Sequence, residues 1–254
     1  MIHPTTIIGD NVSIGKDVTI GPYNVIDEDV SIGDGTTIGN SNTIKKYTKI
    51  GKNCQIYHHC VIGELAQDLK FGGEKSTVEI GNETIIREFV SIHRGTSARG
   101  KTTIGKKCFF MAYSHVAHDC KVGNNVTLIN LATLGGHVEV DDWAMLSGSV
   151  MVHQFVKIGA HAIIGGNYRV SQDVPPYITA VGDPLRYTGI NTIGLKRRGF
   201  TSIERMEIKR AYRIFFRSGL KKKEALERLN TEFPKNKNVQ LIIEFIENSE
   251  RGII

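Results

Sequence analysis

Isoleucine returns at every sixth position from Ile2 to Ile62, eleven times in succession. Continued in the same phase to Val170, the series holds 29 positions, of which 25 are Ile, Leu or Val; the others are Asp68, Glu74, Ala98 and Phe110. Glycine often follows the aliphatic residue, as in "IGDNVS", "IGKDVT" and "VGNNVT", and the fifth place of the hexad is usually small or β-branched. A period of six is neither that of a helix nor that of an alternating strand. It fits short strands joined by tight corners, with the aliphatic and small residues filling a narrow prism and Gly or Asn easing the turns. Hexads of this kind mark a parallel β-helix.

Two segments leave the pattern, "ELAQDLKFGGEKSTVE" (64–79) and "GTSARGKTT" (95–103), and both read as loops leaving the prism, where a rigid scaffold commonly carries function. The ladder is expected to end near "SQDVPPY", where Pro175 and Pro176 stop strand pairing. Beyond about residue 190 the period turns helical. Helices are expected over 202–219, 221–233 and 238–250, the first closed by Gly219 and the second stopping before Pro234. The expected organisation is a β-helix over 1–190 and a small α-helical domain over 191–254 that covers one end of the prism, whose open edge would otherwise invite aggregation.

Charge separates along the same boundary. Residues 1–190 hold 17 Lys/Arg against 18 Asp/Glu, whereas 191–254 hold 15 against 8, so the net +6 belongs to the C-terminal quarter and suggests an acidic partner there. No recognisable nucleic-acid module accompanies the basic tail. No apolar run approaches the roughly 18 residues of a membrane span. "MIHPTTIIGD" has no basic segment before an apolar one, so a cytoplasmic protein is expected. Cys54, Cys60, Cys108 and Cys120 all take the small inward place of their hexads and read as apolar core side chains rather than disulfide or metal ligands.

The stretch "SHVAHDC" (114–120) carries the candidate chemistry. If one coil takes three hexads, residues 18 apart stack along one edge at about 4.8 Å per coil. His118, Gly136 and Gln154 then form a column at an outward corner, with His137 and His153 beside it. Three readings compete: a metal site, interface polarity without chemistry, and a general base. A metal needs about three ligands, and the column partners of His118 are Gly and Gln, so help from a neighbouring subunit would be needed. A base reading uses His118 to take a proton from a hydroxyl beside Asp119, with the Gly136 N–H near a developing oxyanion. The outward positions between 109 and 155 include Phe109, Met111, Tyr113, Ile129, Leu131, Trp143, Met145, Met151 and Phe155, an apolar exterior that needs a second subunit or a ligand to cover it.

The set "IGELAQDLKF", "SIHRGT", "SHVAHDCKVGNN", "GGHVEVDD", "VHQF", "IGAHAIIGG", "QDVPPY" and "NTIGLKRRGF" resembles, over essentially the whole chain, the UDP-N-acetylglucosamine O-acyltransferase family that begins lipid A synthesis. The resemblance implies a left-handed parallel β-helix, a homotrimer with sites between subunits, acyl carrier protein as acyl donor and no metal or cofactor. It implies His118 as base supported by Asp119, and Gly136 as oxyanion donor. Asp68 and Lys70 would contact the hexosamine, His93, His115, His137, His153 and Gln154 would line the site, and Asn191, Arg197 and Arg198 would hold the nucleotide. Gly166 resembles the long-acyl-chain type. Ile193 departs from the family, which usually has Glu there. Arg213, Arg217, Lys221, Lys222 and Lys223 are candidates, on charge alone, for docking the acidic carrier protein.

Rivals are the same chemistry on a 3-amino sugar, a β-helix carbonic anhydrase needing zinc, a non-catalytic scaffold, and the later N-acyltransferase of the pathway. The last carries an additional N-terminal uridine-binding domain, whereas these hexads begin at Ile2.

Overall fold

In the computed structural model, which describes residues 1–254, 27 short strands and four helices follow one another along the chain. Most strands are two residues long and end on the aliphatic residue of a hexad, as at Ile7–Ile8, Ser13–Ile14 and Thr19–Ile20. As far as Arg169–Val170 every third strand joins the same sheet. With the last two strands added to one of them, the three sheets hold nine, eight and ten strands and form the sides of a prism. Regular coils pair in parallel at a step of 18, as in Ile7↔Val25 and Phe109↔Thr127. The expected left-handed parallel β-helix followed by helices is the fold of this chain.

The hexad explains its own geometry. The aliphatic residue and the one four places on point inward, so Ile44, Ile62, Ile86, Cys54, Cys60 and Val126 are buried. Burying each larger side chain contributes about 1.5–3 kcal/mol relative to exposure. All four cysteines are free and buried. Corners fall three places after the aliphatic residue, where 22 non-glycine residues sit at positive φ, beginning at Asn11 (55°), Asp17 (57°) and Tyr23 (59°). Such φ values are sterically costly for ordinary residues, so the stacked coils on either side must hold them.

The two departures from the ladder are narrower than 64–79 and 95–103. Thr77–Ile80 pairs with Lys101–Ile104 and with Thr48–Ile50, which leaves loops over 65–76 and 94–100. The pairing step rises to 30 across the first (Val61↔Ser91) and to 24 across the second (Ser91↔His115). The prolines do not end the sheet either. Val174 and Tyr177, on either side of Pro175 and Pro176, donate their N–H groups to Lys157 and Ala160, so no ladder donor is needed at the prolines. Strand Ile178–Val181 then pairs with Ile163–Ile164 and, antiparallel, with Arg186–Ile190.

Four helices follow where three were expected: α1 (Thr192–Arg197), α2 (Ser202–Arg217), α3 (Lys222–Glu232) and α4 (Lys237–Glu247). At six residues α1 is too short to show an apolar period; Asn191 caps it by accepting from the Gly194 N–H. A capping box of Thr201 and Glu204 starts α2. Tyr212 of α2 donates to the Pro176 carbonyl, and Ile208, Leu229, Val239, Ile242 and Ile246 continue the buried cluster of the prism. The tail returns to the last coil, where Ile253 bridges Asp173 and Ser249 donates to the Asp173 carboxylate. None of the helices is long and apolar enough to cross a membrane.

Some polar residues enter the prism with their partners, whereas Thr48 Oγ1, Thr102 Oγ1 and Ser114 Oγ are buried without one. Buried Asn24 and Asn42 stack one coil apart: the Asn24 side-chain oxygen accepts from the Asn42 backbone (2.9 Å) and side chain (3.0 Å), and Asn42 in turn accepts from the Cys60 N–H at 2.8 Å. Replacing Asn42 with Leu strands the Cys60 N–H in an apolar interior. The expected loss is about 1–3 kcal/mol, read as a lower urea midpoint at fixed protein concentration; an unchanged midpoint would show the ladder to be dispensable.

Candidate active site

Along one edge of the prism the chemistry occupies two adjacent columns over three coils. His118, Gly136 and Gln154 form the first. Asp119, His137 and Phe155, at φ 58°, 62° and 64°, form the second. The left-handed corner is what lets Asp119 meet its own sequence neighbour, because on a straight strand adjacent side chains point to opposite faces. The His118 Nδ1 lies 2.9 Å from Asp119 Oδ2. The His137 ring stands edge-on to His118, with centroids 5.1 Å apart, and stacks on Phe155 at 4.4 Å.

Asp119 is fully buried, yet it is surrounded by donors. Thr96 gives it a backbone N–H at 3.0 and 3.1 Å and a hydroxyl at 2.8 Å, and Arg99 gives a backbone N–H at 3.2 Å. Burial alone would raise its carboxyl, but the bonds from His118 and from Thr96 outweigh that and hold it below the usual carboxylate range. An ionised carboxylate only accepts, so the His118 Nδ1 carries the proton and Nε2 keeps a lone pair. The edge bearing Nε2 faces Gly136, where any Cβ would come within 2.6 Å of both Cε1 and Nε2. No backbone or side-chain acceptor of the chain takes the Gly136 N–H. His118 points away from the prism interior as expected, but it is only 8% exposed.

Both loops close over this edge. Asp68, Lys70, Glu74, Thr96, His118, His137 and Gln154 line one cavity of about 700 Å³. The Asp68 carboxylate accepts from the Lys70 N–H at 2.9 Å, and Glu74 accepts from Gly72 and, across to the second loop, from the Ser97 N–H at 2.8 Å. His93, buried, and His115, half-buried, lie beside it as an edge-on pair with centroids 5.1 Å apart, Ser91 Oγ meeting the His115 Nδ1 at 2.8 Å. Burial lowers both rings, and it takes His115 to about 4 with help from the neighbouring His93 and His118. Burial also lowers His137, against the pull of the Asp119 charge. His153 sits half-buried, its Nδ1 3.1 Å from the Gln154 carbonyl.

The remaining candidates lie elsewhere in the chain. Asn191, Arg197 and Arg198 line a second cavity of about 920 Å³ with Trp143, Met145 and His161. The Asn191 side chain is occupied by the α1 cap and by a 2.9 Å bond to the His161 carbonyl. Arg198 stands over the Trp143 ring, 5.0 Å from its centroid, and lies 3.3 Å from the His161 Nδ1. Burial and the Arg198 charge push His161 down to about 4. Ile193 is 67% exposed on this wall. Gly166 touches neither cavity; a Cβ there would lie 3.2 Å from the Gly148 carbonyl.

One expectation needs correcting. Potential metal ligands do converge within a single chain: atoms of His118, Asp119 and His137 lie within 4.8 Å of one another. Counting only residues 18 apart from His118 missed this, because His137 stacks on Asp119 instead. As a donor set, however, the carboxylate is already met by Thr96, Arg99 and His118, so an ion there would have to displace those bonds. Thr96 in the first cavity, the Arg99 N–H on Asp119, and Trp143 and His161 together in the second cavity were not expected from the sequence. The latter pair, one coil apart at a corner, was within reach of the same column arithmetic; the loop residues have no period to betray them.

Histidines held neutral by partial burial carry a pH cost. His115 and His161 protonate near 6.5 in the unfolded chain but only near 4 in the folded one. The unfolded state therefore binds more protons in between, and stability falls as pH drops from about 6.5 to about 4. Titration of the imidazole Cε1 protons by NMR should show both rings neutral at pH 5, and a His161→Gln variant should flatten the fall in urea midpoint. Rings titrating near 6.5 would refute this.

Two family models match the chain: Udp N-acetylglucosamine O-acyltransferase, domain 2, over residues 173–254, and bacterial transferase hexapeptide (six repeats) over 11–46 and 101–136. A UDP-N-acetylglucosamine O-acyltransferase of Janthinobacterium sp. (strain Marseille) is 49% identical, covering 100% of this chain and 99% of its own length. Its counterpart in Aliivibrio fischeri is 50% identical over 100% and 97%. Among solved structures, the UDP-N-acetylglucosamine acyltransferase of Francisella novicida superposes with a TM-score of 0.97 at 40% identity, covering 100% and 94%. That of Bacteroides fragilis gives 0.97 at 43% over 100% of both. Similarity at this level over the full length means that the chain belongs to the UDP-N-acetylglucosamine O-acyltransferase family.

Proposed function

We propose that this chain transfers a 3-hydroxyacyl group from acyl carrier protein to the 3-hydroxyl of UDP-N-acetylglucosamine, the first step of lipid A synthesis, with His118 as general base. The observation that carries the mechanism is the buried Asp119 carboxylate on the His118 Nδ1, which leaves Nε2 free against Gly136. His118 Nε2 takes the proton of the sugar hydroxyl as its oxygen attacks the thioester carbonyl. Negative charge develops on the carbonyl oxygen, and the unpaired Gly136 N–H is positioned to stabilise it by a few kcal/mol. The intermediate collapses by breaking the C–S bond, and the proton on Nε2 passes to the departing thiolate. No metal or cofactor enters this route.

The cavity walls supply binding. Asp68 and Lys70 face the hexosamine from the first loop, while His93, His115, His137, His153 and Gln154 surround it. Arg197 and Arg198 offer forked donors to phosphate oxygens, and Asn191 holds α1 in place beside them. Ile193, where relatives usually carry Glu, gives this part of the site an apolar wall. Gly166 leaves room for a long acyl chain.

A homotrimer is part of the reading. Tyr113, Leu131, Trp143, Met151 and Phe155 are exposed, and an apolar exterior of that extent needs a cover. In one chain the His118 cavity and the Arg197–Arg198 cavity are separate; pairing the two across subunits makes one site. Arg213 and Arg217 near the end of α2, with Lys221, Lys222 and Lys223 at the start of α3, give the acidic carrier protein a basic surface.

Purified protein given UDP-N-acetylglucosamine and a ladder of 3-hydroxyacyl carrier proteins should yield a mono-acylated sugar nucleotide by mass spectrometry, with or without chelator. His118→Ala should lower turnover by roughly 10²–10⁴-fold, and Gly136→Ala should lower it too, because the new Cβ displaces the base. Loss of product on chelation would turn the His118, Asp119 and His137 trio into a metal site. No product from a folded trimer would overturn the acceptor, leaving the 3-amino sugar nucleotide to be tried.

A further inference from the structure

An aspartate that orients a base must itself be held, because rotation about its terminal bond is soft. Its backbone does not do this: Asp119 sits at a corner, one residue along from the ring it must face. The donors come instead from the 94–100 loop. The Thr96 hydroxyl gives its proton to Asp119 Oδ2 at 2.8 Å, the same oxygen that accepts the His118 Nδ1–H at 2.9 Å. The hydroxyl is itself fixed, because its oxygen accepts from the Ala98 N–H at 3.2 Å. The Thr96 and Arg99 N–H groups engage Asp119 Oδ1 at 3.0 and 3.2 Å.

We infer that Thr96 is a positioning residue of the reaction: its hydroxyl sets the rotation of the Asp119 carboxylate so that Oδ2 stays on the His118 Nδ1. This rests on the reading of His118 as the base. The loop is pinned for the task at two further points. The Arg99 guanidinium pairs with Glu139, two coils further on, and the Ser97 N–H donates to Glu74 of the first loop. Thr96 is 23 residues from Asp119 in sequence and buried in the fold. The charged and titratable groups facing the carboxylate are His118, His137 and, along the loop, Arg99. None of them donates a side-chain bond to Oδ1, so the loop supplies all the bonds to that oxygen.

The test compares Thr96→Val, which keeps shape and removes the hydroxyl, with Thr96→Ser, which restores it, in the acyl-transfer assay beside His118→Ala and Asp119→Asn. Thr96→Val should lower kcat on the order of 10- to 100-fold, with KM for both substrates and the oligomer unchanged. Thr96→Ser should return most of the activity, and Thr96→Val/Asp119→Asn should be no slower than Asp119→Asn alone. If the valine variant does not fold, Thr96→Ala removes the same hydroxyl and is read the same way. A hydroxyl-less variant with parental kcat, beside an inactive His118→Ala, would overturn the role of Thr96 and leave the base intact. So would losses that multiply with Asp119→Asn, or a serine variant as slow as valine. An active His118→Ala would instead overturn the base itself.

Discussion

The whole molecule depends on one coil lying directly above the next with a register of 18 residues. That register stacks Ile on Ile inside the prism. It also holds a long series of non-glycine corners at positive φ, which short isolated strands would not sustain. Because corners stack, residues far apart in sequence become neighbours along an edge, and a column of corner residues is a ready surface for chemistry. The His118 edge and the Trp143–His161 edge are two uses of the same device. On the first, Asp119, His137 and Phe155 stack beside a base. On the second, Trp143, His161 and Tyr177 stack beneath an arginine.

What the sequence disclosed follows from what is periodic. Hexads alone led to the prism, to the inward cysteines and to the column of His118, Gly136 and Gln154. They gave no hand to the coil and no reach to side chains one column over, so the convergence of His137 on Asp119 stayed hidden. Asn191, Arg197 and Arg198 came through the family resemblance, and only the fold shows that the Asn191 amide is engaged in capping α1. Helix α1 itself escaped because six residues cannot display a helical period. Thr96 escaped for a related reason: a residue in a loop has no phase, and its partner lies 23 positions away.

Electrostatically the site sorts its titratable groups by environment. Asp119, though buried, has enough donors to keep its charge, whereas His93 and the half-buried His115, with few partners, are pushed towards neutrality. A charged carboxylate on one nitrogen of His118 sets the base from behind, while the Asp68 and Glu74 side chains line the same cavity from the first loop. Neutral rings beside the base can donate or accept without competing for Asp119. The arrangement matches what proton abstraction from a hydroxyl requires, a base with one lone pair exposed and a tautomer set from behind.

The two loops show how such a scaffold acquires function without losing its fold. The pairing step grows from 18 to 30 across the first loop and to 24 across the second, so the chain gains 12 and 6 residues. Both are whole hexads. The pairing itself does not demand this: near the end of the ladder the step is 16, as in Ile163↔Thr179, and Ile178 and Ala180 are still buried. Insertions in multiples of six leave every later residue in phase, which is why the series of aliphatic positions survives to Val170 across both interruptions. What they deliver, Asp68 and Lys70 from one and Thr96 and Arg99 from the other, reaches the edge where His118 already stands. The scaffold thus supplies the base by stacking, and the insertions supply what holds it and what lies over it.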